Sequence, residues 1–445
     1  MDETLLLARA QFGLNISFHI LFPSITIGLG WLLFFFRLRC ERTKNAEEKQ
    51  AWLRTYKLWV KVFALSFAMG VVSGVVMSFQ FGTNWPGYMN KVGNIAGPLL
   101  AYEVLTAFFL EATFLGIMLF GMNRVPGWMH VASTLIVAVG TTISAFWILA
   151  LNSWMQTPAG HVMDGEAIIA GDWWQVIFNP SFPYRLAHML LASGITALFL
   201  VAGLSAWRLL KAPEDPGARK TLGFAVKLAA VLVPLQVVVG DLHGLNTLEH
   251  QPAKIAAIEA LWKTERGAAL TLIGVPNEET RRNDYAIEVP KLLSFVLKHD
   301  FDAEIRGLED FEPDRPPVAP VFFAFRIMVG TGMLMLLFAF SGVYFLRKEK
   351  SPPRWLLWGF AGMTFSGWVA TLAGWYVTEI GRQPWLVTGI LRTEEAVGDI
   401  SGAQLGASLT AYVLTYSALL LSYVIVLTHM AGKGEARDVM KGDVK

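Results

Sequence analysis

Cysteine is almost absent from the sequence, which has Cys40 alone among its 445 residues. A single cysteine cannot form an intrachain disulfide, and without a C-x-x-C-H segment the chain cannot attach a haem covalently. Neither G-x-G-x-x-G nor G-x-x-x-x-G-K-[ST] occurs, so the sequence gives no support to an enzyme that uses a soluble nucleotide cofactor.

Charged residues are also scarce. They make up 16% of the chain, whereas about 25% is typical of soluble domains. Hydrophobic residues make up 54%, and the mean hydropathy is +0.46. This composition indicates a polytopic membrane protein. The net charge of +2 gives no reason to expect a nucleic-acid partner. The N-terminus, MDETLLLARAQ, lacks the basic n-region of a signal peptide, so we expect the first apolar segment to be retained.

Nine segments are apolar over about 20 residues or more, the length that a helix needs to cross a hydrocarbon core of about 30 Å. They are residues 12–36, 58–82, 97–122, 128–151, 186–207, 222–244, 320–346, 355–378 and 406–430. The sequence therefore predicts an all-α polytopic membrane protein with nine transmembrane helices. His19 and His188 lie in the outer half of the first and fifth segments, which favours two four-helix bundles plus one peripheral helix.

This architecture divides the chain into five parts. Residues 1–155 form the first bundle, 156–244 the start of the second, 245–319 an outer loop and 320–380 the rest of the second bundle. Residues 381–445 contain another outer loop, the ninth helix and a cytoplasmic tail. The loop over 245–319 is much longer than a simple connection, which indicates a function of its own.

Lysine and arginine are concentrated in alternate loops, and cytoplasmic loops carry an excess of these residues. The first loop contains Arg37, Arg39, Arg42, Lys44, Lys49, Arg54 and Lys57, whereas the next contains only Lys91. The other basic groups assigned to the cytoplasm are Arg124, then Arg208, Lys211, Arg219 and Lys220, then Arg347, Lys348, Lys350 and Arg354, and finally Lys433, Arg437, Lys441 and Lys445 in the tail. We therefore expect the N-terminus outside and the C-terminus in the cytoplasm.

Histidines and glutamates inside apolar segments are the first candidates for function. An imidazole in lipid needs a partner, so we interpret His19 and His188 as ligands of metal cofactors. Glu103 and Glu111 share the third segment, and in a regular helix Glu111 lies about 12 Å deeper and about 80° further round. A carboxylate at mid-membrane costs at least about 2.5–3.5 kcal/mol, so each is paired, protonated or beside water. An alternative for Glu103 is a helix-end position that faces headgroup water.

The seventh segment begins APVFFAFRIMVGTGML and carries Arg326 and Met328 just inside its outer end. Arginine there can extend to the surface, and methionine in an apolar helix usually packs against its neighbours. However, Met328 falls in the same outer half as His188 and His19. Histidine with methionine is a ligand pair of six-coordinate haem, so the depths favour a haem near the outer surface.

The eighth segment ends in GWVATLAGWYVTEIGRQPW, and we expect its helix to stop at Gly381 and Pro384. An aromatic belt at the membrane interface explains the tryptophans. It does not explain Glu379 and Arg382 beside them, which we interpret as functional residues.

Together, these residues resemble subunit I of the cytochrome bd-type quinol oxidases. The motifs that carry the resemblance are FRIMVG around Met328, GRQPW at 381–385, FQFGTNW at 79–85, NSWMQTPAG at 152–160 and the glutamate pair. The resemblance covers nearly the whole chain. It implies a terminal oxidase in the bacterial inner membrane that oxidises quinol, reduces dioxygen to water and contributes to the proton motive force.

The resemblance also implies cofactors and partners. The expected cofactors are a low-spin haem b, a high-spin haem b and haem d. The expected partners are quinol, dioxygen, membrane lipid, a second integral-membrane subunit (subunit II) and a small single-helix accessory subunit.

Haem-binding roles follow from the resemblance, position by position. His188 and Met328 resemble the axial ligands of the low-spin haem b, and Arg326 lies beside them. His19 resembles the axial ligand of one haem of the oxygen-reducing pair. Arg382, in GRQPW, is implied to bind a cofactor.

Catalytic and quinol-binding roles also follow from the resemblance. Glu103 and Glu111 resemble the carboxylates that flank the oxygen-reducing haems, and Trp368 matches a tryptophan near them. In the outer loop, HQPAKIAAIEALW is similar to a quinol-binding segment, with Lys254 and Glu259 as its functional residues.

One position departs from the pattern that the resemblance leads us to expect. A glutamate ligand of the third haem is expected two residues before Gly374, where this chain has Leu372. Leucine cannot coordinate iron, so either Glu379, two turns further along the helix, replaces it or that haem is held differently. The leucine resembles the cyanide-insensitive branch of the family, in which haem d is scarce or absent. A further haem b in place of haem d is therefore the alternative.

Two other functions are compatible with the residue types alone. A proton-coupled secondary transporter would use the buried glutamates and histidines as a relay, but it predicts two inverted halves, and no internal repeat is visible. A dihaem b-type electron carrier would use the same ligands, and it would lack a five-coordinate haem that binds carbon monoxide.

Overall fold

A computed structural model of the protein describes residues 3–347 and 352–432. Its helices are α1 (Glu3–Leu21), α2 (Pro23–Arg42), α3 (Ala46–Thr83), α4 (Pro86–Glu103), α5 (Phe109–Phe120), α6 (Gly127–Gln156), α7 (Trp173–Ile177), α8 (Phe182–Lys211), α9 (Pro216–His250), α10 (Pro252–Glu259), α11 (Leu292–Lys298), α12 (Val318–Leu346), α13 (Arg354–Gly362), α14 (Ser366–Ile380), α15 (Thr393–Ala396) and α16 (Gly402–Gly432). A π-helical turn, Val104–Phe108, joins α4 to α5, and a 3-10 turn covers Leu308–Phe311.

The strands are short. They are β1 (His161–Asp164), β2 (Ala167–Ala170), β3 (Glu265–Arg266), β4 (Leu270–Asn277), β5 (Arg282–Val289), β6 (Glu304–Ile305), β7 (Trp385–Val387) and β8 (Leu391–Arg392). They form four separate two-stranded antiparallel pairs, β1–β2, β3–β6, β4–β5 and β7–β8. None of these pairs replaces a helix in the spanning part.

In the described part of the chain, nine helical stretches are long and apolar enough to span a membrane. They are Glu3–Arg42, Ala46–Thr83, Pro86–Phe120, Gly127–Gln156, Phe182–Lys211, Pro216–His250, Val318–Leu346, Arg354–Ile380 and Gly402–Ala431. The prediction of an all-α protein with nine spanning helices is confirmed. Most stretches extend beyond the predicted segments because polar residues continue the helix outside the hydrocarbon core.

Two spans that look continuous in the sequence are broken. The first is divided at Phe22, between α1 and α2, because Pro23 lacks a backbone N–H and its ring clashes with the preceding turn. The eighth is divided between α13 and α14 after Gly362. The break in the first span places His19 in the last turn of α1.

Helix α8 lies at the centre of the molecule. Its apolar window is 72% buried, compared with 11% for the ninth span, α16. It packs on α9, α2, α13, α14 and α6, and the close approach to α2 requires Gly28, where a Cβ would lie 2.4 Å from the Ser193 carbonyl oxygen. The first and fifth spans, which were assigned to different bundles, thus pack closely on each other. The division into two four-helix bundles and the domain limits drawn from it stay predictions.

The outer loop begins later than the sequence suggests. Helix α9 continues to His250, so residues 245–250 belong to the sixth span and not to the loop. Helix α10 then turns back and packs on α12 through an apolar cluster that includes Ile255, Ile258, Phe322 and Val321. The loop is therefore a folded structure attached to the outer end of the seventh span.

Part of the charge pattern lies outside the described residues, namely Lys348, Lys350, Lys433, Arg437, Lys441 and Lys445. Arg37 is described, and it is buried, donating from Nε to His130 Nδ1 at 3.1 Å and pairing with Glu41 at 2.7 Å. His130 is thus part of the packing between α2 and α6. The orientation of the termini stays a prediction.

Candidate functional site

His19 lies where three spans approach each other. Its Nδ1 is 3.0 Å from the Ser73 hydroxyl of α3. The adjacent residue of α3 is Gly74, where a Cβ would lie 3.1 Å from His19 Cε1. A hydrogen bond to one ring nitrogen orients a histidine whose other nitrogen coordinates a metal. The surroundings of His19 therefore fit a ligand role.

His188 and Met328 also face glycines. His188 of α8 points at Gly240 of α9, where a Cβ would lie 3.6 Å from its Cε1, and Met328 of α12 points at Gly374 of α14, where a Cβ would lie 2.8 Å from the sulfur. Within the described residues, His188 Nδ1 is buried and has no hydrogen-bond partner. The four helices pack on one another. An orphaned imidazole and a thioether beside glycines fit a flat group that needs axial ligands.

The two glutamates of the third span both face α6. Ser144 donates its hydroxyl hydrogen to Glu103 Oε1 at 2.7 Å, and a Cβ on Gly140 would lie 2.7 Å from Glu111 Cγ. A regular helix would place the glutamates about 80° apart. The π-helical turn Val104–Phe108 lies between them, and its extra residue offsets the phase by about 100°, so they share one side. The expected angular separation is therefore wrong.

Glu379 is part of a buried polar network at the outer ends of α6, α8 and α14. It accepts a hydrogen bond from Asn152 Nδ2 at 3.0 Å and pairs with Arg382. Asn152 in turn accepts a hydrogen bond from Arg185 through Oδ1. The carboxylate is thus held by an amide of the fourth span and by a guanidinium just beyond the end of its own helix, α14, which fixes its position.

Gln156 extends this network to the outer loop. Its Oε1 accepts hydrogen bonds from Lys254 Nζ at 2.7 Å and from Gln251 Nε2 at 3.0 Å, and its Nε2 lies 3.5 Å from Glu379 Oε1. Lys254 also donates to Gln251 Oε1 at 2.9 Å. One amide therefore joins the candidate quinol segment, α10, to the carboxylate at the end of the eighth span.

The network has more positive than negative charge. Arg185, Lys254 and Arg382 surround the Glu379 carboxylate, and burial together with the two arginines holds the pKa of Lys254 well below its ordinary value. Arg185 Nε, Arg382 Nε and Arg382 Nη1 are buried and have no hydrogen-bond partner in the described part of the chain. Unpaired guanidinium donors with excess positive charge fit the propionate carboxylates of a haem.

Arg326 does not extend to the surface but holds the outer loop. It donates to the carbonyl oxygens of Ile258 at 2.7 Å and Thr271, and it pairs with Glu259 at 3.4 Å. Glu259 is 8% exposed. Burial raises its pKa to about 7, although Arg326 acts in the opposite direction. Glu259 is therefore a carboxyl group that exchanges a proton near neutral pH.

Trp368 lies just beyond His19, at the break in the first span. It donates its indole hydrogen to the Leu21 carbonyl oxygen at 2.7 Å and stacks on Phe365. Its contacts hold α14 against the end of α1, so it supports the segment that carries His19.

Several residues of this site were missed in the sequence. Asn152 and Gln156 lie in NSWMQTPAG, which contributes to the resemblance without a role for either amide. Their spacing of four residues on one helix face is a signal that could have indicated a common partner. Arg185 lies three residues before His188 and could have been found in the same way, whereas Gln251 shows its role only through its contacts.

The cytochrome bd terminal oxidase subunit I family matches residues 7–435 of the chain. The chain belongs to this family. It is 33% identical to the cytochrome bd ubiquinol oxidase subunit 1 of Bacillus subtilis, over 98% of this chain and 95% of that protein. It is 32% identical to the cytochrome bd-II ubiquinol oxidase subunit 1 of Escherichia coli, over 98% of this chain and 97% of that protein.

The structure is similar to that of the bd oxidase from Geobacillus thermodenitrificans. The TM-score is 0.87 at 29% sequence identity, and the match covers 97% of this chain and 99% of that one. Family membership confirms the expected resemblance and enzyme class, a quinol oxidase of a bacterial membrane that uses haem and works with a second subunit. The transporter and electron-carrier alternatives do not fit this class. The roles of individual residues stay predictions.

Proposed function

We propose that this chain oxidises membrane quinol at its outer loop and reduces dioxygen to water with three haems, adding to the proton motive force. The observation that best supports this proposal is the buried network that joins Lys254 of the loop to Glu379 of the eighth span through Gln156. In this arrangement the N-terminus is outside and the C-terminus is in the cytoplasm.

The proposed haem ligands lie on separate spans. His188 and Met328 would hold the low-spin haem b, His19 the high-spin haem b, and Glu379 the third haem, either haem d or a further haem b. When bound, these haems supply one-electron transfer and the iron that binds dioxygen. Glycines lie opposite both histidines and Met328, and N–H groups of Arg185 and Arg382 have no partner among the residues that the structure describes; both observations support this assignment.

The outer loop supplies the groups that would handle quinol. Glu259 is positioned to accept a quinol proton because its pKa of about 7 leaves a large ionised fraction at neutral pH. Arg326 fixes the carboxylate, and Lys254 offers a hydrogen-bond donor from the same helix. Protons taken up by Glu259 would leave on the outer side.

Protons for oxygen reduction would come from the cytoplasm. Glu111 lies deeper than Glu103 along the third span, and because of the π-helical turn between them both side chains face α6. We assign Glu111 as an intermediate proton carrier and Glu103 as the carrier nearer the haems. A role in proton transfer would account for the free-energy cost of placing these two carboxyl groups within the membrane.

Part of the exposed surface would be covered by other subunits. The ninth helix, α16, is the least buried span and has large apolar side chains facing outward. It is a candidate contact for subunit II or for a small single-helix accessory subunit, and membrane lipid would cover the remainder.

A visible spectrum of the purified protein tests the proposal. We expect the dithionite-reduced minus oxidised spectrum to show b-type haem and a component that changes with carbon monoxide. A chlorin-type band would establish haem d, and its absence would favour a further haem b. A protein that stays colourless after expression with ample haem would contradict the proposal.

A further inference from the structure

The β4–β5 hairpin of the outer loop has an exposed apolar face. Ile273 lies directly opposite Ile287 in the strand pairing, and their side chains are 64% and 57% exposed. Leu272 and Val275 are exposed as well, and Tyr285 is 91% exposed. Ile273 and Ile287 are cross-strand neighbours, and exposed apolar neighbours of this kind mark a surface that contacts something apolar.

Two hydrogen bonds fix the depth of this hairpin along α12. At the hairpin tip, Glu278 Oε1 accepts from the backbone N–H of Val318, the first residue of α12, at 3.2 Å. Near the other end, the Thr271 carbonyl accepts from Arg326, about 12 Å further along the helix. The hairpin therefore lies beside the first turns of α12, with its tip pointing away from the membrane.

These first turns lie at the membrane surface. Helix α12 has 29 residues, so it is about 44 Å long, whereas the hydrocarbon core is about 30 Å thick and the bilayer with its headgroups about 40–45 Å. The outer part of α12 must therefore cross the headgroup layer. Arg326 is about 12 Å from the outer end of the helix, so the hairpin residues at its level lie at the inner side of this layer, next to the hydrocarbon core.

Exposed apolar residues of α12 lie close to the hairpin. Phe323 and Ile327 are exposed on this helix, and Ile327 follows Arg326, which contacts the hairpin through the Thr271 carbonyl oxygen. In contrast, the hairpin tip reads NEETRRND and is charged. Glu288, opposite Thr271 at the other end of the hairpin, is exposed as well. The exposed apolar residues therefore lie between two charged ends, as in an element that meets the headgroup layer.

We propose that the β4–β5 hairpin is anchored in the outer lipid leaflet through Ile273 and Ile287. The anchor would hold the Thr271 carbonyl on Arg326, and so would stabilise the side of the loop that carries Glu259. This inference concerns the contact with lipid, and it does not depend on which reaction the protein catalyses.

Site-specific labelling tests the anchor directly. The native Cys40 is 2% exposed, so a cysteine introduced at Ile273 or Ile287 offers an accessible thiol. We would label each variant of the full oxidase complex with bimane in lipid nanodiscs. Quenching would be compared for phospholipid that carries a nitroxide near the headgroup and for aqueous iodide. The unsubstituted complex gives the background.

Ile327→Cys, exposed on α12 at the level of Arg326, is the control for a lipid-facing position at this depth, and Glu279→Cys, at the hairpin tip, is the control for a hydrated one. We expect lipid quenching at Ile273→Cys and Ile287→Cys to exceed that at Glu279→Cys by about threefold or more, because an interfacial face lies about 5–10 Å into the headgroup boundary. Quenching by iodide equal to that of Glu279→Cys would overturn the proposal. Protection from both quenchers would also overturn it, since it would mean that protein covers the hairpin.

Discussion

Lys254 Nζ donates a hydrogen bond to Gln156 Oε1 over 2.7 Å, and both side chains are buried. The hydrogen-bond acceptors of Lys254 are neutral amide oxygens, and burial together with Arg185 and Arg382 lowers its pKa. A lysine held in this way is costly to bury. Its position is explained if it serves the reaction and if Gln156 keeps it beside Glu379.

Replacing Gln156 by leucine removes the acceptor of Lys254 while keeping an apolar side chain of similar size. We expect the KM for quinol to rise by about tenfold, since a buried donor that loses its acceptor costs about 1–3 kcal/mol and Gln251 recovers part of the loss. Steady-state kinetics with a soluble quinol would measure the change, and the reduced spectrum would check that haem content is unaltered.

Gln11→Leu is the matched control, because Gln11 is also buried at the outer end of a span but accepts a hydrogen bond from Ser408. We expect this variant to keep the KM for quinol. An unchanged KM in Gln156→Leu would show that the contact with Lys254 has no part in quinol binding.

The activity should depend on pH through Glu259. Its raised pKa of about 7 means that the carboxyl is protonated below pH 7 and cannot accept a quinol proton. We therefore expect kcat/KM for quinol to rise as the pH increases through about 7, and not through the ordinary range near 4.5. Glu259→Gln should lower activity and remove this acidic limb. Glu279→Gln, at the exposed hairpin tip, is the control and should keep the limb. Persistence of the limb in Glu259→Gln would show that its assignment to Glu259 is wrong.

Glu111→Gln should slow oxygen reduction far more than it affects quinol binding. The glutamine cannot carry a proton, so we expect kcat to fall by about 100-fold or more while the KM for quinol changes little. Oxygen-electrode measurements across quinol concentrations would separate the two. Glu394→Gln, an exposed glutamate of α15, is the control. Normal turnover in Glu111→Gln would exclude this residue from the proton path.

Gly374→Ala should disturb the proposed low-spin haem site. A Cβ at this position would lie 2.8 Å from Met328 Sδ and would push the thioether aside. We expect the low-spin b-type signal to weaken or shift in the reduced spectrum. Gly332→Ala is the matched control, since a Cβ at Gly332 of α12 would meet nothing within 4 Å. Identical spectra for both variants would argue against Met328 as a ligand.

Prediction from sequence succeeded where the cause is local. The composition and the nine apolar segments give the spanning helices, because the hydrocarbon core imposes a minimum length on each of them. Buried histidines and glutamates stand out for a similar reason, since each carries a cost that the sequence alone reveals. The position of the break at Phe22 could also have been found, because Pro23 follows it directly.

The rest depends on contacts between distant parts of the chain. Arg326 and Glu259 are 67 residues apart in sequence, and Gln156 and Lys254 are 98 apart. No periodic pattern links such positions. The π-helical turn between Glu103 and Glu111 has no mark in the residue types either, so the sequence predicted the wrong angle between them.

The sequence by itself determined the class of protein, the number of spans and the residues that are costly to bury, because these follow from the transfer of side chains and backbone into lipid. Only the tertiary structure decided that Arg326 holds the outer loop, that Gln156 joins Lys254 to Glu379, and that both glutamates face α6. Those relationships depend on which faces of the helices meet, and packing of the whole chain sets those faces.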